Sequence, residues 1–367
     1  MFKTPDFIKN LKPYVPGKSI EELQKEFGLK EIHKIASNEN PLGPSPRAVE
    51  AQNRFVSEIN RYPDVGSVDL REKISKKFNI PVKNIAVGSG SESIMANILR
   101  CFLCDGDEII TSEATFIGFQ VLAMGRNNAT HYVPMSRETY KFDLNAITNK
   151  INKNTKIIYL CNPNNPTGTI ITKSEFEEFY AKVPKDVIIL FDEAYFEYAM
   201  GNPEYPDSID YRYDNVITLR TFSKIYGIAG LRIGYGFAHD FIVETLMKTK
   251  LPFEPNTLAQ AAAAGALDDD EFISKSLKLN KQGYEYFLGE LKPSEEKGII
   301  NIIPSQANFL MLDMFSEEIV ADINQKLLRQ GVIIRPLKAF GLGNCLRITM
   351  GLMKENETFI REFKKLI

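Results

Sequence analysis

Thr221-Phe-Ser-Lys224-Ile-Tyr-Gly-Ile-Ala-Gly-Leu-Arg232 places one amine, two hydroxyls and a guanidinium around a small-residue turn. A lysine amine in such a turn is suited to a Schiff base with an aldehyde. Thr221, Ser223 and Arg232 are suited to holding a phosphate by charge-assisted hydrogen bonds. The plainer reading of this run alone is a solvated lysine beyond a strand, with an ordinary basic residue after it. Its flanks bear on the choice. Val216-Ile-Thr-Leu-Arg-Thr221 reads as a strand entering the turn, and Ile233-Gly-Tyr-Gly-Phe237 reads as another leaving it.

Working outward, short β-rich runs alternate with helix-length segments. Ile85-Ala-Val87 leads into Gly88-Ser-Gly-Ser-Glu-Ser93, after which Ile94, Ile98 and Phe102 line one apolar helix face. Glu108–Thr111, Lys156–Cys161 and Val187–Asp192 read as further strands. Near-continuous apolar runs separated by helices predict an α/β fold with a mostly parallel sheet covered on both faces. Ligands in such sheets bind at the carboxyl ends of the strands. Gly90, Asn165, Asp192 and Lys224 all lie at or just past such ends, so one cleft can collect them. Beyond about residue 270 the pattern changes. A helix over 318–329, an extended Gly331–Arg335, a strand Cys345–Thr349 and a closing helix from Glu355 predict a smaller α/β domain. The expected division is residues 1–40 as an N-terminal segment joining the small domain, 41–270 as the large domain and 271–367 as the small one.

With 367 residues, 44% hydrophobic and 25% charged, the composition is that of a globular chain of this two-domain size. A net charge of -2 with mixed signs offers no basic field for nucleic acid. The charged start and the lack of a long apolar run predict no membrane span and a cytoplasmic location. Cys101-Phe-Leu-Cys104 has redox spacing, yet it ends an apolar helical run, so buried helix cysteines are expected there. The three histidines, His33, His131 and His239, stand apart from one another and from any cysteine cluster, and no metal site is expected. No Gly-x-Ser-x-Gly elbow carries a hydrolase nucleophile.

The remaining candidates are polar residues in apolar surroundings. Asp192 ends a strand that is otherwise almost wholly apolar, where a carboxylate is costly unless paired or functional. Facing a pyridine nitrogen, it would keep that nitrogen protonated, with Tyr195 donating to the ring oxygen; in isolation it reads equally as a helix cap. Glu193 is expected to order the loop. Asn162-Pro-Asn-Asn165-Pro-Thr-Gly168 is a turn unusually dense in amides, and Asn165 is a candidate for the same ring oxygen. Gly88 to Ser93 can offer backbone N–H groups to a phosphate, though it lacks the third glycine of a dinucleotide fingerprint. Phe116 is a lid or a core residue. Arg335 and Arg347, in apolar strands, suggest recognition of planar anions, or else an internal salt bridge. Pyridoxal phosphate, an aldehyde with a phosphate, meets the needs of the Lys224 turn and of Asp192 together.

These segments resemble fold-type I, aspartate-aminotransferase-like pyridoxal-phosphate enzymes, and among them most closely the histidinol-phosphate aminotransferases. The likeness runs along nearly the whole chain, through Leu11–Tyr14, Ala36–Gly43, Arg61–Pro63, Asn162–Gly168, Asp192–Tyr195, Thr221–Arg232 and Leu346–Thr349. The resemblance implies that Lys224 carries the cofactor and later moves a proton, that Asp192 pairs with the pyridine nitrogen, and that Asn165 and Tyr195 address the ring oxygen. It implies that Ser91, Glu92, Thr221, Ser223 and Arg232 surround the cofactor phosphate and that Phe116 stacks on the ring. Tyr62 is then donated from the neighbouring subunit of a homodimer. Arg347 receives the carboxylate of glutamate or 2-oxoglutarate, while Tyr14 and Arg335 receive the substrate phosphate and Asn40 also faces substrate.

Two departures from that pattern stand out. Phe116 occupies a position that usually carries tyrosine, and Ser91-Glu92-Ser93 replaces a small residue followed by an acidic pair. Related enzymes act on aromatic amino acids or decarboxylate threonine phosphate, and these are the alternatives the resemblance leaves. A nucleotide-dependent oxidoreductase would need the missing glycine fingerprint. A non-catalytic interaction protein would leave Lys224, Asp192 and Asn165 unexplained at three strand ends.

Overall fold

The computed structural model describes residues 2–9, 11, 17–211 and 214–367. Its first strand, β1 (His33–Lys34), is short. The next seven are β2 (Ile85–Gly88), β3 (Glu108–Ser112), β4 (Ala129–Val133), β5 (Thr155–Cys161), β6 (Ile188–Asp192), β7 (Val216–Thr221) and β8 (Gly234–Phe237). They form one sheet in the order β2-β8-β7-β6-β5-β3-β4. Only β8 runs against the others, pairing antiparallel with both β2 and β7.

Both faces of this sheet are covered, as the uninterrupted apolar strands require. Ile157, Tyr159 and Cys161 of β5 join a core with Met95, Ile98 and Leu99 of the helix Ser91–Phe102. The intervening Ile158 and Leu160 pack on the other side with Phe176 and Phe179 of the helix Lys173–Tyr180. Burying each such side chain contributes about 2 kcal/mol before ordering costs. The sheet is therefore fixed firmly enough to aim the loops at its carboxyl edge.

The later strands are β9 (Asn301–Ile303), β10 (Phe309–Asp313), β11 (Val332–Ile333), β12 (Arg335–Pro336) and β13 (Cys345–Thr349). An antiparallel sheet has the order β12-β13-β10-β9, whereas β11 pairs in parallel with β1. The N–H of Ile35 donates to Ile333 O, and that of Thr349 donates to Ile35 O, so residues 33–38 are sewn to the small sheet. A 27-residue helix, Asp270–Glu296, begins at the expected changeover, its first turn capped by the Asp269 carboxylate accepting from Phe272 N–H. Ile273 near its start belongs to the core around β2 and β8, while Phe287 and Leu291 belong to the core of the small sheet.

The sequence reading missed β4, β9 and β10 for physical reasons. β4 is an edge strand with mostly part-exposed residues, so its apolar pattern is weak. β9 and β10 are three and five residues long and carry too little periodicity to register. One expectation needs correcting: Cys104 is exposed, because the helix stops at Phe102 before reaching it. Among the described residues no helix is long and apolar enough to cross a membrane.

Candidate active site

A cavity of about 750 Å³ is lined by loops of the large sheet, residues 17–19 and 34–38, and the strands β12 and β13. A recess of about 230 Å³ adjoins it at the carboxyl ends of β5, β6 and β7. Lys224, Asn165, Tyr195, Glu92 and Phe116 line both spaces. The parallel strands explain the convergence: β5 delivers the loop that holds Asn165, β6 ends in Asp192, and β7 runs into the turn that holds Lys224.

Lys224 is half-buried, and its Nζ has no hydrogen bond or ion pair among the described residues. Nζ stands 5.6 Å from the centre of the Tyr195 ring. Burial, aided by the Arg347 and Arg232 charges, pushes the amine down to about 8, with Glu39 and Asp192 opposing. An ordinary lysine at neutral pH is almost wholly protonated; this one holds a substantial neutral, nucleophilic fraction.

Asp192 is 2% exposed. Its carboxylate accepts from Tyr159 OH at 2.7 Å and from Ala194 N–H at 3.2 Å. No described residue forms an ion pair with it, and burial pushes it up to about 6 despite those two donors. A buried carboxylate without a cation, opening onto a recess, fits a cationic ring nitrogen in that recess. Tyr195, also buried, accepts from Asn38 Nδ2–H at 2.8 Å, and burial pushes its phenol above the ordinary range.

At the recess wall, the helix Ser91–Phe102 presents its first turn with Gly90 as cap and no side-chain acceptor over its N–H groups. Gly90 has φ +80°, and a Cβ there would stand 2.8 Å from Arg232 Nη2. Only glycine permits both the turn and the approach. The Thr221 hydroxyl lies 3.0 Å from Ser223 Oγ, Arg232 Nη1 reaches Ser223 Oγ at 3.5 Å, and Arg232 Nη2 pairs with Glu92 at 3.0 Å. Helix dipole, hydroxyls and guanidinium together suit a phosphate, so ring and phosphate requirements of pyridoxal phosphate are both met. The Glu92 carboxylate already sits on the guanidinium, which makes it a residue that orients Arg232.

The outer cavity has a cationic end. Arg335 and Arg347 are directly opposite each other on β12 and β13, and both line the cavity. Arg347 donates through Nη1 to Asn165 Oδ1 and through Nη2 to Ala36 O at 2.9 Å. Its guanidinium carbon lies 5.1 Å from the centre of the Phe309 ring. Two guanidinium forks set directly across two strands suit a planar anion.

Behind Asp192, a buried ion pair braces the turn. Arg220 and Glu193 are fully buried, with Nε to Oε2 at 2.9 Å, and Arg220 also meets Asp207 at 2.7 Å. The guanidinium lies 3.3 Å from the centre of the Phe196 ring. Glu193 accepts from Ser208 N–H at 3.0 Å, so it orders the loop. Burial pushes both Glu193 and Glu197 up to about 7.

Two expected residues stand outside the lining of both spaces. Tyr62 is 80% exposed, stacked on Phe253 at 4.2 Å, and lines neither space. The Asn40 amide donates to Ile225 O and Ser276 Oγ, and its oxygen accepts from Leu42 N–H, so it ties loops together. Tyr14 lies outside the described residues. Asn38, Tyr159 and Cys161 were missed. Asn38 sits two residues before Asn40 in the same amide-rich stretch, so a signal for it was present. Tyr159 and Cys161, inside an apolar strand, gave no signal at all.

The chain is similar over its whole length to known proteins. The family model for aminotransferases of class I and II matches residues 30–363. A histidinol-phosphate aminotransferase of Bdellovibrio bacteriovorus is 43% identical over 95% of this chain and 94% of its own. Histidinol-phosphate aminotransferase 2 of Carboxydothermus hydrogenoformans is 39% identical over 98% of each chain. Among solved structures, the histidinol-phosphate aminotransferase of Sinorhizobium meliloti in complex with pyridoxal-5'-phosphate superimposes with a TM-score of 0.88 at 25% identity, covering 100% of this chain and 99% of that one. An aspartate aminotransferase of Thermus thermophilus shares the fold, with a TM-score of 0.84 at 18% identity over the full length of both. With its amine, its buried carboxylate and its phosphate cradle at one sheet edge, the chain belongs to the aminotransferases of class I and II.

Proposed function

We propose that this pyridoxal-phosphate-dependent enzyme is a histidinol-phosphate aminotransferase. It moves an amino group between L-histidinol phosphate and 2-oxoglutarate, giving imidazole acetol phosphate and L-glutamate. The carrying observation is the pairing of Arg335 with Arg347 across β12 and β13 in the cavity that Lys224 also lines. One donor, histidinol phosphate, ends in a phosphate, and the other, glutamate, ends in carboxylates. Two planar forks in one cavity serve both. Relatives bearing this activity name at 38–43% identity support the substrate assignment.

The chain's residues divide the work as follows. Ser91, Thr221, Ser223 and Arg232 hold the cofactor phosphate, and Phe116 covers the ring. Bound there, pyridoxal phosphate supplies a ring that accepts the electron pair left when a proton departs the amino-bearing carbon. Asp192 holds a proton on the ring nitrogen, while Asn165 and Tyr195 donate to the ring oxygen. Lys224 Nζ, free and neutral, would take the proton from the amino-bearing carbon and return it to the carbon on the other side of the nitrogen. Arg347 orients the carboxylate and Arg335 the phosphate, with Tyr14 as a further donor to that phosphate.

The reading includes a homodimer in which Tyr62 enters the neighbouring subunit's phosphate site. Val49, Phe55, Val56, Ile59, Val65 and Val68, in the same stretch of sequence as Tyr62, are all exposed, apolar surface that a second copy would cover. It also includes a cytoplasmic location and the division into residues 1–40, 41–270 and 271–367, with the helix Asp270–Glu296 shared between two cores.

The test is to supply the loaded protein separately with histidinol phosphate, phenylalanine and threonine phosphate, and to identify the products. Fast formation of the imidazole ketone is expected. Faster turnover of phenylalanine would assign the chain to aromatic amino acids instead, and carbon dioxide from threonine phosphate would assign it to decarboxylation.

A further inference from the structure

The best-connected buried polar group at the site is Asn38, which no step above uses. It is 1% exposed and has φ +56°, a backbone region that asparagine tolerates better than most residues. Its N–H donates to Thr349 Oγ1 at 2.9 Å. Thr349 Oγ1 lies 3.0 Å from Asn38 Oδ1, and Asn308 Nδ2–H donates to Asn38 O at 3.1 Å. One of the two side-chain amide hydrogens points at Tyr195 OH, 2.8 Å away.

The donor directions in this chain follow from one group that cannot reverse. The Asn38 backbone N–H is only a donor, so Thr349 Oγ1 must accept there. Thr349 then spends its own hydrogen on Asn38 Oδ1, which turns the amide NH₂ toward Tyr195. A phenol has a single hydrogen. With an amide N–H occupying one lone pair of its oxygen, and no described residue accepting from it, Tyr195 directs that hydrogen into the recess it lines.

We propose that Asn38 and Thr349 are positioning residues that set Tyr195 as a donor toward the cofactor's ring oxygen. The backbone of Asn38 is the fixed end of the relay. Thr349 lies on β13, two residues beyond Arg347, so the strand that carries the anion-binding arginine also sets the polarity of the tyrosine. This rests on the cofactor reading above.

Two pairs of variants test the relay. Thr349→Val removes the hydroxyl but keeps the shape, whereas Thr349→Ser keeps the hydroxyl but loses a methyl. Asn38→Asp keeps the backbone preference but replaces the amide donor with an acceptor that takes the tyrosine hydrogen. The readout is the pH midpoint of the bound cofactor's visible absorption, alongside the melting temperature of the cofactor-free protein. Losing the donor leaves more negative charge on the ring oxygen, which holds a neighbouring proton more tightly. Thr349→Val should therefore raise the midpoint by about one pH unit, a tenfold change in proton affinity, while Thr349→Ser should leave it in place.

Asn38→Asp should raise the midpoint by at least as much, and most of that rise should vanish in a Tyr195→Phe background. A rise with Thr349→Ser and none with Thr349→Val would reduce Thr349 to packing and overturn the relay. Equal rises from Asn38→Asp with and without the Tyr195 hydroxyl would reveal a bare charge effect and overturn it as well. Wild-type protein with no visible absorption after reconstitution would instead defeat the cofactor reading itself.

Discussion

Asp192→Asn should make the cofactor-free protein more stable at neutral pH while it destroys the enzyme. Asp192 ionises at about 6 in the fold against an ordinary 3.8, so ionising it costs the fold about 3 kcal/mol once the pH is above both values. Because the native value is raised, the native state binds more protons than the unfolded chain between these two values. The contribution of Asp192 to stability is thus fully present below pH 3.8 and lost as the pH rises through 6. Asparagine never ionises and escapes this loss. It gives up one of the two hydrogen bonds from Tyr159 and Ala194, worth about 1 kcal/mol. Removing the carboxylate also withdraws some support from the Lys224 charge, leaving a net gain of about 1 to 2 kcal/mol at pH 7. Urea unfolding of the cofactor-free proteins from pH 4 to pH 8 would measure it. The asparagine variant should be the less stable at the acid end and the more stable above pH 6, with curves that cross between. Parallel curves, or an asparagine variant weaker throughout, would refute the reasoning.

Competitive acylation of the cofactor-free protein should find Lys224 half-reactive near pH 8 while surface lysines follow near 10.5; a midpoint near 10 would contradict the burial argument. Because the value is lowered, the buried cation opposes folding below pH 8, and that opposition fades as the pH rises toward 10.5. Gly90→Ala should weaken cofactor affinity by about 1 to 3 kcal/mol, roughly 5- to 150-fold in Kd by fluorescence titration, since its Cβ strains the turn and meets Arg232. Arg220→Met should cost about 3 to 5 kcal/mol in chemical denaturation by stranding Glu193, and adding Glu193→Gln should restore part of it. Equal stability of the single and double variants would mean the brace is not a charge pair.

How much of this was legible in the sequence depended on whether a residue's role is local. β5, β6 and β7 were readable because a strand buried on both faces must be apolar throughout, and the polar residue that ends such a run is conspicuous. That logic pointed to Asp192, Asn165 and Lys224 as neighbours, since parallel strands bring their carboxyl ends together. It did not separate Asn38 from Asn40, because a stretch of amides does not tell which one lines the cleft; tertiary partners 185 and 311 residues away decide it. Arg220 looked like any strand residue, and only the packed fold reveals a guanidinium enclosed by two carboxylates and a ring. The apolar pattern fades in β4 because an edge strand needs only a partly buried face.

The contact between Arg347 and Asn165 has a consequence for how the enzyme senses what it holds. One side chain belongs to the small sheet and lines the outer cavity; the other belongs to a loop of the large sheet and lines the recess. A carboxylate arriving at Arg347 draws on the same guanidinium that Asn165 Oδ1 already uses. The amide must then share its partner, and its dipole over the recess changes with it. On the substrate assignment proposed above, occupancy at the far end of the substrate would in this way reach the reacting end through a single shared hydrogen-bond donor. An amine with no anionic tail would enter the same cavity and leave that signal unsent.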